Sequence, residues 1–342
     1  MNRRRFLTSI ARIRAWKELT DTNFQSYLVT ILYLLIINNL YSYSMIPSIL
    51  ILALALALYI CYTFIVNDFF DMPVDKKAGK WRAVHELPTS FVIGLMVTQV
   101  AAGFSALLFL RNVALFSVFT VAWFMSTFYS APPIRFKEKG ILGALADMIV
   151  EKTLPIFVIF VFFNCFSYDA LVFIALFSVI QLKLIIDHQI FDYDSDVASG
   201  ARTLVVKIGR EKADRILNLF IRPVFVVMFI ILALVILVRI PFSLLVLAPI
   251  FLCYFIIRAL TSKKVIRRVN IRSDSGWQVE RIPLYDGYLS ASISVILLFL
   301  AFLIVLNYPP YLFLFVMAVA SQIYVIKGHY VRLVGYLAKA LS

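Results

Sequence analysis

Charge is scarce in this chain. Asp, Glu, Lys and Arg make up 15% of its 342 residues, where a soluble domain carries about a quarter. The deficit is concentrated in long apolar runs. Ten of them approach the roughly 20 residues a helix needs to cross a bilayer core: 24–41, 47–66, 91–110, 113–129, 153–167, 170–187, 218–239, 242–259, 287–306 and 310–326. The fifth is short and is expected to start nearer Leu145. Connectors this brief exclude a soluble domain of useful size. Cysteine is also scarce: Cys61, Cys165 and Cys253 all fall in apolar runs. Their spacing suggests neither a disulfide framework nor a metal site, so they read as small packing residues. Residues 1–23 are basic without a long apolar segment, so they do not read as a cleaved signal peptide. That stretch is expected to be a short interfacial helix on the inner membrane face, and 24–342 a single membrane domain.

The net charge of +14 invites a nucleic-acid partner, and its placement excludes one. With ten spans and the N-terminus inside, the inner segments hold all the Lys and Arg except Arg111, Arg239 and Lys183. This is the positive-inside pattern. It places both termini in the cytoplasm and suits a surface of anionic lipid head groups.

The inner loops are long and carry acids as well as bases. The first follows span two and holds Asn67, Asp68, Asp71, Asp75, Lys76, Lys80 and Arg82; the second follows span four and runs from Tyr129 through Pro132, Pro133, Arg135, Lys137 and Lys139 to Gly140. The third, after span six, runs from Asp187 and His188 through Asp192, Asp194 and Asp196 to Gly200, Arg202 and Thr203. The first and third share Asp-x-x-x-Asp-x-x-x-Gly followed by an arginine: Asp71, Asp75, Gly79, Arg82 and Asp192, Asp196, Gly200, Arg202. The spans they follow are four apart, so an internal repeat of a four-helix unit would set two acidic clusters face to face.

Residues three or four apart share a helix face, which groups Asp68, Asp71 and Asp75, and pairs Asp192 with Asp196. Pro73 is expected to end or kink the second span near Met72. Intramembrane charge costs roughly 2.5–3.5 kcal/mol per residue on insertion scales, so two such clusters are not there for packing. Clustered carboxylates repel unless a cation joins them, and Mg²⁺ takes one or two carboxylates plus substrate phosphates. The interleaved Lys76, Lys80, Arg82, Arg135, Lys137, Lys139 and Arg202 complete a diphosphate site, in which metal and bases neutralise a departing diphosphate.

Taken together, these motifs resemble the UbiA superfamily of intramembrane prenyltransferases. Asn67-Asp68-x-x-Asp71-x-x-x-Asp75 is similar to its first signature, Asp192-x-x-x-Asp196-x-x-x-Gly200-x-x-Thr203 to its second, and Tyr129-Ser130-x-Pro132-Pro133-x-Arg135-x-Lys137 to the connector between them. The resemblance covers roughly residues 20–305. It implies an all-α, polytopic bundle of nine or ten transmembrane helices around a central cavity. It also implies Mg²⁺-dependent transfer of a polyprenyl group from its diphosphate to an aromatic, quinone-precursor or lipid acceptor. On this resemblance Asp68, Asp71, Asp192 and Asp196, joined by Asp75, would hold the metal–diphosphate complex. Arg82, Arg135, Lys137 and Arg202 would contact diphosphate oxygens, and Asn67 and Tyr129 would shape the acceptor pocket or face the allylic cation. The tenth span and the His188-Gln189 pair before the second motif depart from the family pattern.

Several polar residues have plainer readings. Lys183, one turn before Asp187, is either an intramembrane ion pair or a substrate contact. His188 reads as a structural histidine before a base. Asp147 and Glu151 read as helix N-terminal acids that complement the dipole. Most of the 31 phenylalanines must face lipid or neighbouring helices, and 262–283 reads as a solvated loop. Two other functions fit parts of the pattern. A phosphoribosyl-type donor with a polyprenyl-phosphate acceptor uses the same aspartate logic, and an ion-coupled transporter also carries repeats and intramembrane acids, though nearer the midplane.

Overall fold

The computed structural model describes residues 3–20, 22–77, 79–261, 270–272, 278–280 and 284–322. Its helices are α1 (Arg3–Ala11), α2 (Arg14–Glu18), α3 (Thr22–Ile37), α4 (Met45–Lys77), α5 (Thr89–Phe109), α6 (Val113–Ser130), α7 (Ile141–Met148), α8 (Leu154–Phe163), α9 (Tyr168–Phe191), α10 (Tyr193–Ser199), α11 (Leu204–Ile208), α12 (Arg210–Ile216), α13 (Arg222–Arg239), α14 (Leu244–Thr261), α15 (Leu284–Asn307) and α16 (Leu312–Ala320). A two-stranded antiparallel ribbon, β1 (Asn270–Arg272) and β2 (Gln278–Glu280), is the only sheet among the described residues. The rest of the expected 262–283 loop lies outside them.

Seven helices among the described residues are long and apolar enough to cross a membrane, and two shorter apolar ones span Asn23–Ile37 and Pro309–Ala320. The fifth expected span starts earlier than its apolar run, at Ile141. There α7 and α8 are joined by a π-helical turn, Ile149–Thr153. Pro155 explains this turn. It has no N–H to give to the carbonyl of Glu151, and the Tyr27 hydroxyl donates to that carbonyl instead, at 2.7 Å. The Tyr59 hydroxyl donates to the Val150 carbonyl at 2.8 Å. The tenth expected span corresponds to α16, which among the described residues is a short apolar helix, and residues beyond 322 lie outside those described.

The helices differ in how much they face lipid. In α4 and α9, 67% and 56% of the apolar window is buried, against 28% in α5 and 33% in α6. The two helices that end in the acidic motifs are therefore central. Apolar side chains gain little by leaving lipid for a helix interface, so packing and polar contacts hold such bundles together. Between α4 and α6 these include Thr63–Ser126 at 2.8 Å and Tyr62–Thr127 at 2.7 Å, both hydroxyl to hydroxyl. Gly103 lets α5 approach α6, since a Cβ there would come within 3.0 Å of the Trp123 ring.

The N-terminal segment is docked on the bundle. Ile13 and Ala15 are buried in an apolar cluster with Cys61, Ile65, Val84, Leu87 and Val92. Arg14 reaches inward and pairs with Asp68 at 3.0 Å.

Candidate active site

One cavity of about 530 Å³ opens between the ends of α4 and α9 and the connector after α6. The helix α4 does not break at Pro73 as the sequence suggested, but continues to Lys77 with the proline inside it. Thr63, Asn67, Asp71 and Asp75 therefore recur every four residues on one face, and all four line the cavity. Asp68 does not. It is 2% exposed, held by Arg14, with Arg82 Nε 3.9 Å away. On the facing helices Asp192 and Asp196 line the same space, as do Lys80, Arg82, Tyr129, Arg135, Lys137 and Arg202. Every site residue expected from sequence thus meets at this cavity except Asp68.

The two motifs have the same backbone ending. Gly79 and Gly200 adopt φ of +67° and +74°, the left-handed conformation that glycine reaches without strain. One residue later, the Lys80 N–H donates to the Asp75 carbonyl at 2.8 Å and the Ala201 N–H to the Asp196 carbonyl at 2.9 Å. Both are the six-to-one bond of a Schellman ending. The repeat seen in the sequence is therefore a repeated helix terminus, which delivers an aspartate pair at the same register on each side.

Cations tie the halves together. Lys80, just past the first motif, pairs with Asp192 of the second at 2.6 Å. Lys137 pairs with Asp71 and lies 3.5 Å from Asn67 Oδ1, which also accepts from Ser130 Oγ at 2.6 Å. Arg135 bridges Glu138 at 2.8 Å and Asp71 at 3.7 Å. It does so from a left-handed backbone, φ 43°, a conformation uncommon for a non-glycine residue that recurs at functional sites. Arg82 reaches Asp75 at 3.5 Å, and Thr203 donates to Asp196 at 3.3 Å. Among the described residues no three His, Cys, Asp or Glu side chains stand close enough to hold a metal ion by themselves. The aspartate pairs are opposed across the cavity, each compensated by Lys or Arg.

Burial pushes the Lys137 ammonium down to about 8. Burial, with Asp192 beside it, pushes the Asp196 carboxyl up to about 6. A site that needs an anionic Asp196 and a cationic Lys137 works between those values. Activity should fall below pH 6, as Asp196 takes up a proton, and above pH 8, as Lys137 loses one. A kcat/KM–pH profile that stays flat from 5 to 9 would contradict this.

The connector is positioned by Gly143, where a Cβ would lie 2.7 Å from the Phe136 carbonyl oxygen and 2.8 Å from that of Lys137. Backbone oxygens cannot swing aside as a side chain can. Gly143→Ala should therefore displace Lys137 and weaken anion binding about tenfold, since a misplacement of about 1 Å at such a site can cost 10²-fold. Direct titration of the ligand checks it.

Residues 27–278 match the model of the UbiA prenyltransferase family. The chain belongs to that family. Among solved structures it is similar to a UbiA homolog from Archaeoglobus fulgidus in several states. With the form bound to GPP and Mg²⁺ the TM-score is 0.56 at 15% identity, covering 84% of this chain and 98% of that one. The form bound to DMAPP and Mg²⁺ gives 0.56 at 16% over the same shares, and the Cd²⁺-bound form 0.51 at 16%, over 82% and 99%. No relative was found among curated proteins. At these identities the likeness establishes the UbiA fold: all-α, polytopic and built around apolar helices.

The cavity also holds residues that sequence reasoning passed over: Arg14, Glu18, Asn23, Asp147, Glu151 and Gln181. Gln181 carried a usable signal, as a lone amide inside an apolar run. The sequence suggests that Asp147 and Glu151 start a helix, but the helix starts at Ile141 and both acids line the cavity. For Arg14 the sequence held no signal. Lys183 is also reassigned. The partner of Asp187 is Arg222, at 3.1 Å, while the Lys183 ammonium lies 5.0 Å from the Phe225 ring centroid and 3.4 Å from Ser290 Oγ.

Proposed function

We propose that this UbiA-family protein transfers a prenyl group from a prenyl diphosphate to an acceptor, with Mg²⁺ as cofactor. The reading rests on one observation: two aspartate pairs on equivalent helix endings face each other across a cavity, with Lys80, Arg82, Arg135, Lys137 and Arg202 lining it beside them. The donor set fits Mg²⁺, being all carboxylate oxygen, the hard ligand this ion prefers. Asp71 and Asp75 on one side, and Asp192 and Asp196 on the other, would hold it. When bound, the ion neutralises charge on diphosphate oxygens. The homolog from Archaeoglobus fulgidus has been seen with GPP and DMAPP together with Mg²⁺.

The chain's own residues supply the rest. Lys137, Arg135, Lys80, Arg82 and Arg202 receive the diphosphate and stabilise it as it departs from the prenyl carbon. Asp68 holds Arg14 and, with Asp75, flanks Arg82, so it orients cations without meeting the ligand. Tyr129 offers an aromatic face to a developing carbocation, worth about 0.5–2 kcal/mol. The positive-inside pattern points the mouth of the cavity to the cytoplasm, where the diphosphate leaves.

The test is Mg²⁺-dependent binding of an inert geranylgeranyl thiolodiphosphate to the purified protein in nanodiscs. Binding that EDTA abolishes and Mg²⁺ restores is the expected result. Absence of binding, with phosphoribosyl diphosphate consumed instead, would overturn the reading.

A further inference from the structure

On one wall of the cavity Glu18, Asn23, Asp147, Glu151 and Gln181 form a single hydrogen-bonded cluster. Gln181 Nε2 donates to Asp147 Oδ2 at 2.7 Å and to Glu151 Oε2 at 2.9 Å. Asn23 Nδ2 donates to Glu151 Oε2 and to Glu18 Oε2, both at 3.2 Å. The carboxylates fix both amides, because a flip would set amide oxygen against carboxylate oxygen. The amide oxygens are left over: Gln181 Oε1 and Asn23 Oδ1 are buried without a hydrogen-bond partner, on side chains that line the cavity and are 5% and 6% exposed. Buried acceptors of this kind are rare and call for a donor. The protein offers three carboxylates and two orphan carbonyls here, so the matching ligand brings O–H groups.

Position adds to the argument. From Gln181 to Asp192 along α9 is about 16 Å at 1.5 Å per residue, and from Thr63 to Asp71 along α4 about 12 Å. A molecule held at this wall stands beyond the diphosphate pole, on the side toward which the prenyl carbon is released. Glu151 is the more open of the two acids, as Asp147 is 4% exposed. It sits in the π-helical turn before Pro155, and such turns recur at functional sites.

We propose that this wall is the acceptor subsite, that the acceptor is an uncharged alcohol or phenol, and that Glu151 is the base that takes its proton. The inference rests on the prenyl-transfer reading. The acceptor oxygen forms a bond to the prenyl C1 as the C1–O bond to diphosphate breaks. The bonding pair leaves with the diphosphate, the hydroxyl proton passes to the Glu151 carboxylate, and the product is an ether. Asp147 and Gln181 are positioning residues. A carboxylated acceptor would bring a further negative charge against Asp147 and Glu151, which disfavours it.

The experiment uses the full chain in nanodiscs with Mg²⁺ and labelled geranylgeranyl diphosphate. Three acceptors are compared: a 1-O-alkylglycerol, menadiol and 4-hydroxybenzoate. Binding of the inert thiolodiphosphate is measured alongside. The expected result is transfer to an uncharged acceptor in preference to 4-hydroxybenzoate. Glu151→Gln should then lower kcat by about 10²-fold or more, the usual contribution of a positioned base, while thiolodiphosphate affinity stays within about twofold, which also shows that the variant is folded. Glu151→Asp should recover part of the rate. Wild-type rates in Glu151→Gln, preference for 4-hydroxybenzoate, or no transfer to either uncharged acceptor while the thiolodiphosphate binds would each overturn the proposal. Failure of wild-type protein to bind the thiolodiphosphate would instead overturn the prenyl-transfer reading beneath it.

Discussion

Asp71→Asn and Asp192→Asn are each expected to lower prenyl transfer by about 10²–10³-fold, the scale seen when one preorganised group is removed from a site of developing charge. Asp68→Asn is expected to cost less than about tenfold, the scale of a 1.4 kcal/mol change. The contrast follows from geometry. Asp71 and Asp192 face the cavity from opposite sides, and each anchors a lysine that belongs elsewhere in the chain, Lys137 and Lys80. Asparagine keeps the shape of the side chain and removes the charge that a divalent cation needs. Asp68 is one helical turn before Asp71, yet its carboxylate is spent on Arg14. Labelled-donor turnover, with thermal melting as the control for folding, measures all three variants. A loss in Asp68→Asn equal to that in Asp71→Asn would return Asp68 to the metal-binding set.

Much of this site was legible in the sequence because membrane insertion makes polar residues conspicuous. The apolar runs located the helices, and aspartates at the ends of two of them stood out against a composition with few charges. The repeated glycine at a fixed distance from each aspartate pair pointed to an internal repeat, and the structure shows the repeated feature to be a shared helix ending at Gly79 and Gly200. Choosing among Asp68, Asp71 and Asp75 was harder. All three fall within one broad helical face, and the decision depends on which side Arg14 approaches from. That is a tertiary fact, carried by an N-terminal segment whose sequence says only that it is basic.

Proline was the other source of error, in two directions. Pro73 suggested a break that the helix does not make, and this continuity is what keeps Asn67, Asp71 and Asp75 in register. Pro155 suggested nothing, yet it coincides with the π-helical turn that aims Glu151 into the cavity, its unclaimed carbonyl taken by Tyr27. At Pro155 the outcome was set by a partner from a distant helix able to satisfy a carbonyl, which a local reading cannot weigh.

Lys137→Met is expected to weaken donor binding by about 10²-fold, on the scale of removing one charge-assisted contact from a buried anion site, and to reshape the pH profile in a way that Asp71→Asn does not. Burial holds the Lys137 ammonium down at about 8, so it is the group whose deprotonation ends activity on the alkaline side. Without it the alkaline limb should vanish from the residual activity. The acid limb, set by Asp196 at about 6, should remain. Lys137→Arg separates charge from fit. Its guanidinium stays cationic far above pH 8, so the alkaline limb should again be absent. Its planar fork does not suit a pocket that presents Asp71 and Asn67 Oδ1 to a single ammonium, so binding should recover only in part. Donor titrations across pH 5–9 on the wild type and both variants measure this. An alkaline limb that persists unchanged in Lys137→Met would assign that ionisation to another group and remove Lys137 from the diphosphate site.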